Sequence, residues 1–102
     1  MTTAIIADDE DLPRKDLRRM LNESWPELQI IAECEHGADA LEAIHQHNPD
    51  IAFLDIRMPG LSGIEIAEAM KQESPATQIV FVTAYDQYAI DAFEKGAVDY
   101  LL

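Results

Sequence analysis

The sequence predicts an α/β fold in which helices cover both faces of a parallel sheet. Short apolar runs alternate with helical patterns along the 102 residues. Apart from Gln29, the runs are apolar at successive positions rather than at every second one, as in strands buried on both sides. The resulting βαβαβαβαβ order demands parallel strands joined by right-handed crossovers.

Four runs, Ala4–Ala7, Leu28–Ala32, Ile51–Leu54 and Ile79–Val82, read as strands, and Tyr100–Leu102 as the start or body of a fifth. The first helix opens with Asp11 as N-cap and Pro13 in its first turn, where a missing N–H costs nothing. Its apolar stripe is Leu17, Met20 and Leu21, and Pro26 lies beyond its end. The second helix runs from Ala38 to about His47 with Leu41 and Ile44 inward, and Pro49 closes it. The third runs from about Gly63 to Glu73, with Ile66, Ala67 and Met70 at helical spacing. The fourth runs from about Asp86 to Lys95 with Ile90 and Phe93 inward, and Gly96 follows as its cap.

Composition narrows the function. Seven Lys and Arg against 20 Asp and Glu leave a net charge of −13, while 48% of residues are hydrophobic. A core is available, and a chain this acidic repels nucleic-acid phosphates and anionic membranes. One cysteine, Cys34, excludes an internal disulfide framework and a cysteine-rich zinc site. Apolar runs are too short for a membrane span, and the N-terminus does not read as a signal peptide. A cytoplasmic domain is expected.

In open parallel sheets, ligands bind beyond the carboxyl ends of the strands. Asp8, Asp9, Glu10 and Asp11 follow the first strand, Asp55 and Arg57 the third, and Thr83 the fourth. If those strands are neighbours, Asp8, Asp9, Asp55 and Thr83 share one pocket. Carboxylates about 5 Å apart repel by roughly 3 kcal/mol at an effective dielectric near 20, so the group takes up a proton or a cation. Oxygen donors favour Mg²⁺ or Mn²⁺ over Zn²⁺. Asp55 is then free to act as a carboxylate nucleophile toward phosphorus, with Thr83 donating to a phosphoryl oxygen. Taken singly, each residue reads as well as a solvated loop acid, a turn cap or a strand-end threonine.

Ile6-Ala7-Asp8-Asp9-Glu10, Asp55-Ile56-Arg57-Met58-Pro59-Gly60 with Gly63 and Glu65, Val82-Thr83-Ala84, and Lys95-Gly96-Ala97 with Tyr100 together resemble the bacterial response-regulator receiver domains of the CheY-like family. The resemblance implies a doubly wound, flavodoxin-like five-stranded sheet of order 2-1-3-4-5. It implies that Asp55 accepts a phosphoryl group from a sensor histidine kinase. Asp9, Asp55 and the Arg57 main-chain carbonyl would then bind Mg²⁺, with Asp8 acting through a metal-bound water. Thr83 and Tyr100 would form the switch, changing the face made by the fourth helix and fifth strand. Residues 83–94 and 96–102 are similar to receivers that precede a LytTR-type DNA-binding domain, which implies a transcriptional regulator whose DNA-contacting half lies outside this chain.

Family receivers continue with a Lys-Pro pair and a fifth helix, so residues 1–102 are expected to be one receiver domain, C-terminally truncated. Loss of that lysine is expected to weaken phosphorylation. An uncovered flank is expected to drive a homodimer or a segment-exchanged oligomer. By the same resemblance Arg57 and Tyr85 tune water's access to the aspartyl phosphate, although Arg57 reads equally as a surface charge. Arg14, Lys15, Arg18 and Arg19 read as a solvated face or as a kinase-docking face. His36, His45 and His47 read as surface, and Cys34 as a nearly buried side chain without a redox task. The competing reading is a phosphorylation-independent interaction module. An aspartate-nucleophile phosphatase is disfavoured by Arg57, where such enzymes carry a second acid, and a nucleotide-binding domain by the lack of a Gly-rich loop after the first strand.

Overall fold

In the computed structural model, residues 1–82 and the backbone of residues 99–101 are described. The elements are β1 (Thr3–Ala7), α1 (Asp11–Ser24), β2 (Gln29–Cys34), α2 (Gly37–His47), β3 (Ile51–Leu54), α3 (Gly63–Glu73), β4 (Gln78–Val82) and β5 (Asp99–Leu101). All pairings are parallel and the sheet order is β2-β1-β3-β4-β5, as expected. The fourth helix read over 86–95 lies outside the described residues.

The continuous apolar character of the strands has a direct cause. Side chains alternate across a strand, so Ala4, Ile6 and Phe53 face α1 and pack with Leu17, Leu21 and Leu28. Ile5, Ala7, Ala52, Leu54, Ile79 and Phe81 face the other way, against Ala40, Ile44, Ile66, Ala67 and Met70 of α2 and α3. Central strands thus need apolar residues on both sides.

Several expectations change at the edges. β2 reaches Cys34 rather than Ala32, because Ala7 stands opposite Cys34 and a register shift between Ala4 and Ile5 takes up one extra β2 residue. Asp11 is the first residue of α1 rather than its cap; Glu10 holds the cap position without a side-chain hydrogen bond. Met20 is about half exposed, and Arg14 takes the buried face with Leu17 and Leu21. α3 opens with a full capping box, Ser62 Oγ accepting from Glu65 N while Glu65 Oε1 accepts from Ser62 N. α2 starts at Gly37, where a Cβ would lie 1.9 Å from the Leu61 carbonyl oxygen; only glycine permits this approach.

The amino ends of the strands are tied by side chains. Asp50 Oδ2 accepts from both the amide and the hydroxyl of Thr3, and Asp50 N donates back to Thr3 Oγ1. Thr77 Oγ1 donates to the Pro49 carbonyl at 2.6 Å, so its contact with Ser74 Oγ uses the serine proton. No helix among the described residues is long and apolar enough to cross a membrane.

Candidate functional site

Where β1 and β3 end side by side, the ladders on both sides of β1 run one residue further. Asp55 N donates to the Ala7 carbonyl at 2.9 Å, and Asp8 N donates to the Cys34 carbonyl at 3.0 Å. These bonds bring Asp8 and Asp55 to the same edge, and Asp9 follows on the loop. One carboxylate oxygen from each of Asp8, Asp9 and Asp55 lies within 4.8 Å of the other two. The expected convergence of these three acids is therefore present.

The backbone orients two of them. Asp8 Oδ1 accepts from Glu10 N at 2.9 Å, and Asp55 Oδ1 accepts from Arg57 N at 3.3 Å. Each is a local Asx-type turn, which restrains the carboxylate through Oδ1. The Asp55 loop is pressed from behind by α3: Gly63 N donates to the Ile56 carbonyl, and a Cβ on Gly63 would stand 2.4 Å from the Asp55 carbonyl oxygen. A depression of about 470 Å³ lies alongside, lined by Asp9, Ile56, Arg57, Met58, Pro59, Ser62 and Ile64.

Electrostatics follow from crowding and half-burial. Burial chiefly, then the neighbouring Asp8 charge, push the Asp55 carboxyl up to about 6, against the pull of the Arg57 amide. Asp8 is also raised, by burial first, with Glu10 N–H opposing and Asp9 and Glu10 reinforcing. Like charges at this spacing repel by roughly 3 kcal/mol at an effective dielectric near 20. A bound divalent cation would offset most of that repulsion. The cluster offers only carboxylate oxygens, the donor set of a hard ion, so the residues present fit Mg²⁺ or Mn²⁺.

Other candidates fall elsewhere. Thr83 and Tyr85 lie outside the described residues; Tyr100 is placed by its backbone, opposite Phe81 in the register, and its side chain lies outside them too. Arg57 is exposed, and its amide is the group seen to act on Asp55. His36, His45 and His47 are exposed, as expected, with His45 Nδ1 2.6 Å from Glu73 Oε2. Cys34 is buried and free, and burial first of all pushes its thiol up to about 11. Alkylation of native Cys34 at pH 8 is expected to be slower than in the urea-unfolded chain by on the order of a hundredfold. Equal rates would show an exposed thiol.

The basic residues of α1 depart from the solvated-face reading at Arg14, whose side chain is only 9% exposed. Its Nη1 donates to the Asp8 carbonyl at 2.9 Å, and Nη2 pairs with Asp11 at 2.6 Å and with Glu35 at 3.4 Å. Lys15 and Arg19 are exposed, and Arg18 is bonded to Glu33. Arg14 was expected on a solvated or docking face and is buried instead; a cation seven residues before Leu21 and three before Leu17 sits on the apolar stripe, which was the available signal.

Residues 4–102 match the family model described as the response regulator receiver domain. The chain is 54% identical over 100 residues to an uncharacterized response regulatory protein of Vibrio cholerae, covering 98% of this chain and 38% of the relative. It is 44% identical to the transcriptional regulatory protein BtsR of Escherichia coli over 102 residues, covering 100% of this chain and 42% of BtsR. The chain thus spans about two fifths of these curated relatives. Among solved structures, the response regulatory domain of protein mrkE from Klebsiella pneumoniae superposes with a TM-score of 0.90 at 34% identity, covering 99% of this chain and 82% of that one.

Proposed function

This chain belongs to the response regulator receiver family, and from that premise we propose that it is a phosphoacceptor in which Asp55 takes a phosphoryl group from a sensor histidine kinase. The observation that carries this reading is the meeting of Asp8, Asp9 and Asp55 oxygens within 4.8 Å at the carboxyl edge of β1 and β3. Asp55 Oδ1 stays held by the Arg57 amide while Oδ2 attacks phosphorus. The new O–P bond forms as the donor's P–N bond breaks, and the electron pair leaves on the imidazole nitrogen, which takes up a proton. Asp9, Asp55 and the Arg57 carbonyl would hold Mg²⁺, and Asp8 would assist through a water on the ion. When bound, the ion offsets charge on the phosphoryl oxygens. Thr83 and Tyr100 carry the response to the acyl phosphate, whose charge of about −2 biases a two-state element.

The domain is a switch rather than a turnover enzyme; its own chemistry is phosphorylation and dephosphorylation of Asp55. It acts in the cytoplasm on an attached DNA-binding domain outside this chain, of LytTR type by the likeness of residues 83–102. Self-association belongs to the same reading; its acidity keeps this domain itself off nucleic acid.

Incubation with acetyl phosphate and Mg²⁺ is expected to add one hydroxylamine-sensitive phosphoryl group, read by intact mass. EDTA or Asp55→Ala should abolish it. An adduct that persists in Asp55→Ala would reject Asp55 as acceptor, and a wild-type chain that takes up none favours the phosphorylation-independent module.

A further inference from the structure

We infer that Arg14 is a positioning residue for the cation site: from α1 it clamps the main chain between Asp8 and Asp9 and so holds these two carboxylates in register with Asp55. The inference rests on the cation-binding part of the reading above.

The carbonyl that Arg14 Nη1 holds belongs to the peptide joining Asp8 to Asp9. Its plane sets the direction in which Asp9 leaves the strand. The preceding peptide is fixed by Asp8 N on the Cys34 carbonyl, and the Asp8 side chain by Glu10 N. With the carbonyl also held, the whole turn carrying two of the three acids is determined.

The other side of the guanidinium is anchored independently. Nη2 meets Asp11 on its own helix and Glu35 just beyond β2, and Nε lies 3.6 Å from Glu33 of β2. A planar group with five donors can meet the loop carbonyl and these acids together; a lysine ammonium cannot span that fork. Asp11, Glu33 and Glu35 offset much of the Arg14 charge, yet that charge still reaches the Asp8 carboxyl, which burial raises and Arg14 partly lowers.

Sign separates positioning from charge. Arg14 is a cation near a cation site, so by charge alone its removal should tighten divalent binding. By positioning, its removal should loosen binding, because the ligands lose their preset geometry. Outer contacts that orient metal ligands are commonly worth tenfold or more in affinity.

The test uses Mn²⁺ as probe, with binding followed by loss of the free-ion paramagnetic signal and thermal unfolding recorded on the same samples. Arg14→Met is expected to raise the Mn²⁺ Kd about tenfold. Arg14→Lys, which keeps the charge, is expected to raise it severalfold and decides the question if Arg14→Met fails to fold. A lysine variant with wild-type Kd, or a methionine variant that binds more tightly, overturns the inference. A lowered Tm with unchanged Kd also overturns it, since that is a purely structural role. A wild-type chain that takes up no Mn²⁺ overturns the cation-site reading itself.

Discussion

Gly63→Ala is expected to lower the unfolding free energy by about 2–4 kcal/mol and to weaken divalent-cation binding in the same molecule. The added methyl would sit 2.4 Å from the Asp55 carbonyl oxygen and 3.1 Å from Asp55 C and Ile56 Cα. All three atoms are backbone, so no side chain can step aside. α3 cannot retreat cheaply either, because its first turn is held by the Ser62–Glu65 capping box and by Gly63 N on the Ile56 carbonyl. What yields is the loop that carries Asp55. Gly60 supplies the control: its φ is +79° and a Cβ there meets nothing within 4 Å. Gly60→Ala should cost only the roughly 1 kcal/mol of a left-handed alanine. Urea unfolding and Mn²⁺ titration of both variants check the pair. Equal stability of the two would refute the close-approach account.

Asp55→Asn is expected to be more stable than wild type at pH 7.5 in EDTA, by on the order of 1–2 kcal/mol after allowing for the partial solvation of the site. Folding raises the Asp55 carboxyl from an ordinary value near 4 to about 6. Between those two values the native chain keeps a proton that the unfolded chain has released. Stability from this group is therefore present at the acid end, falls as pH rises through the window, and is lost above about pH 6. Asparagine removes that slope, so the two proteins should converge near pH 4 and separate above pH 6. Mg²⁺ should then stabilise wild type more than the variant, by linkage to the folded state. Urea midpoints across pH, with and without the ion, measure both effects. Parallel pH profiles would show that Asp55 titrates as an ordinary carboxylate.

Much of this architecture was readable in the sequence because its determinants are local. Ile51–Leu54 is apolar on both faces and ends at Asp55, which is all that a central strand with a reactive edge requires. The same holds for Ala4–Ala7 and Asp8. Strand order came only through the family resemblance, since no local pattern says which strands are neighbours. What escaped depends on spatial partners. Arg14 looks like one cation among several on α1, and the placement of Glu33, Glu35 and the Asp8 carbonyl, added to its local pair with Asp11, makes burial tolerable. The last two residues of β2, Glu33 and Cys34, were missed because their pairing with Ile6 and Ala7 outweighs a charged side chain in the run. The Ser62-x-x-Glu65 capping box also went unread, although its spacing is in the sequence.

The side-chain ties among Thr3, Asp50, Pro49, Ser74 and Thr77 have a mechanical consequence. They weld the roots of neighbouring strands at one pole, while the acids crowd at the tips of β1 and β3. The sheet is then a fork with a solid handle: stress introduced at the tines is not absorbed at the grip. It must be discharged sideways, into the loops and helices that flank the prongs.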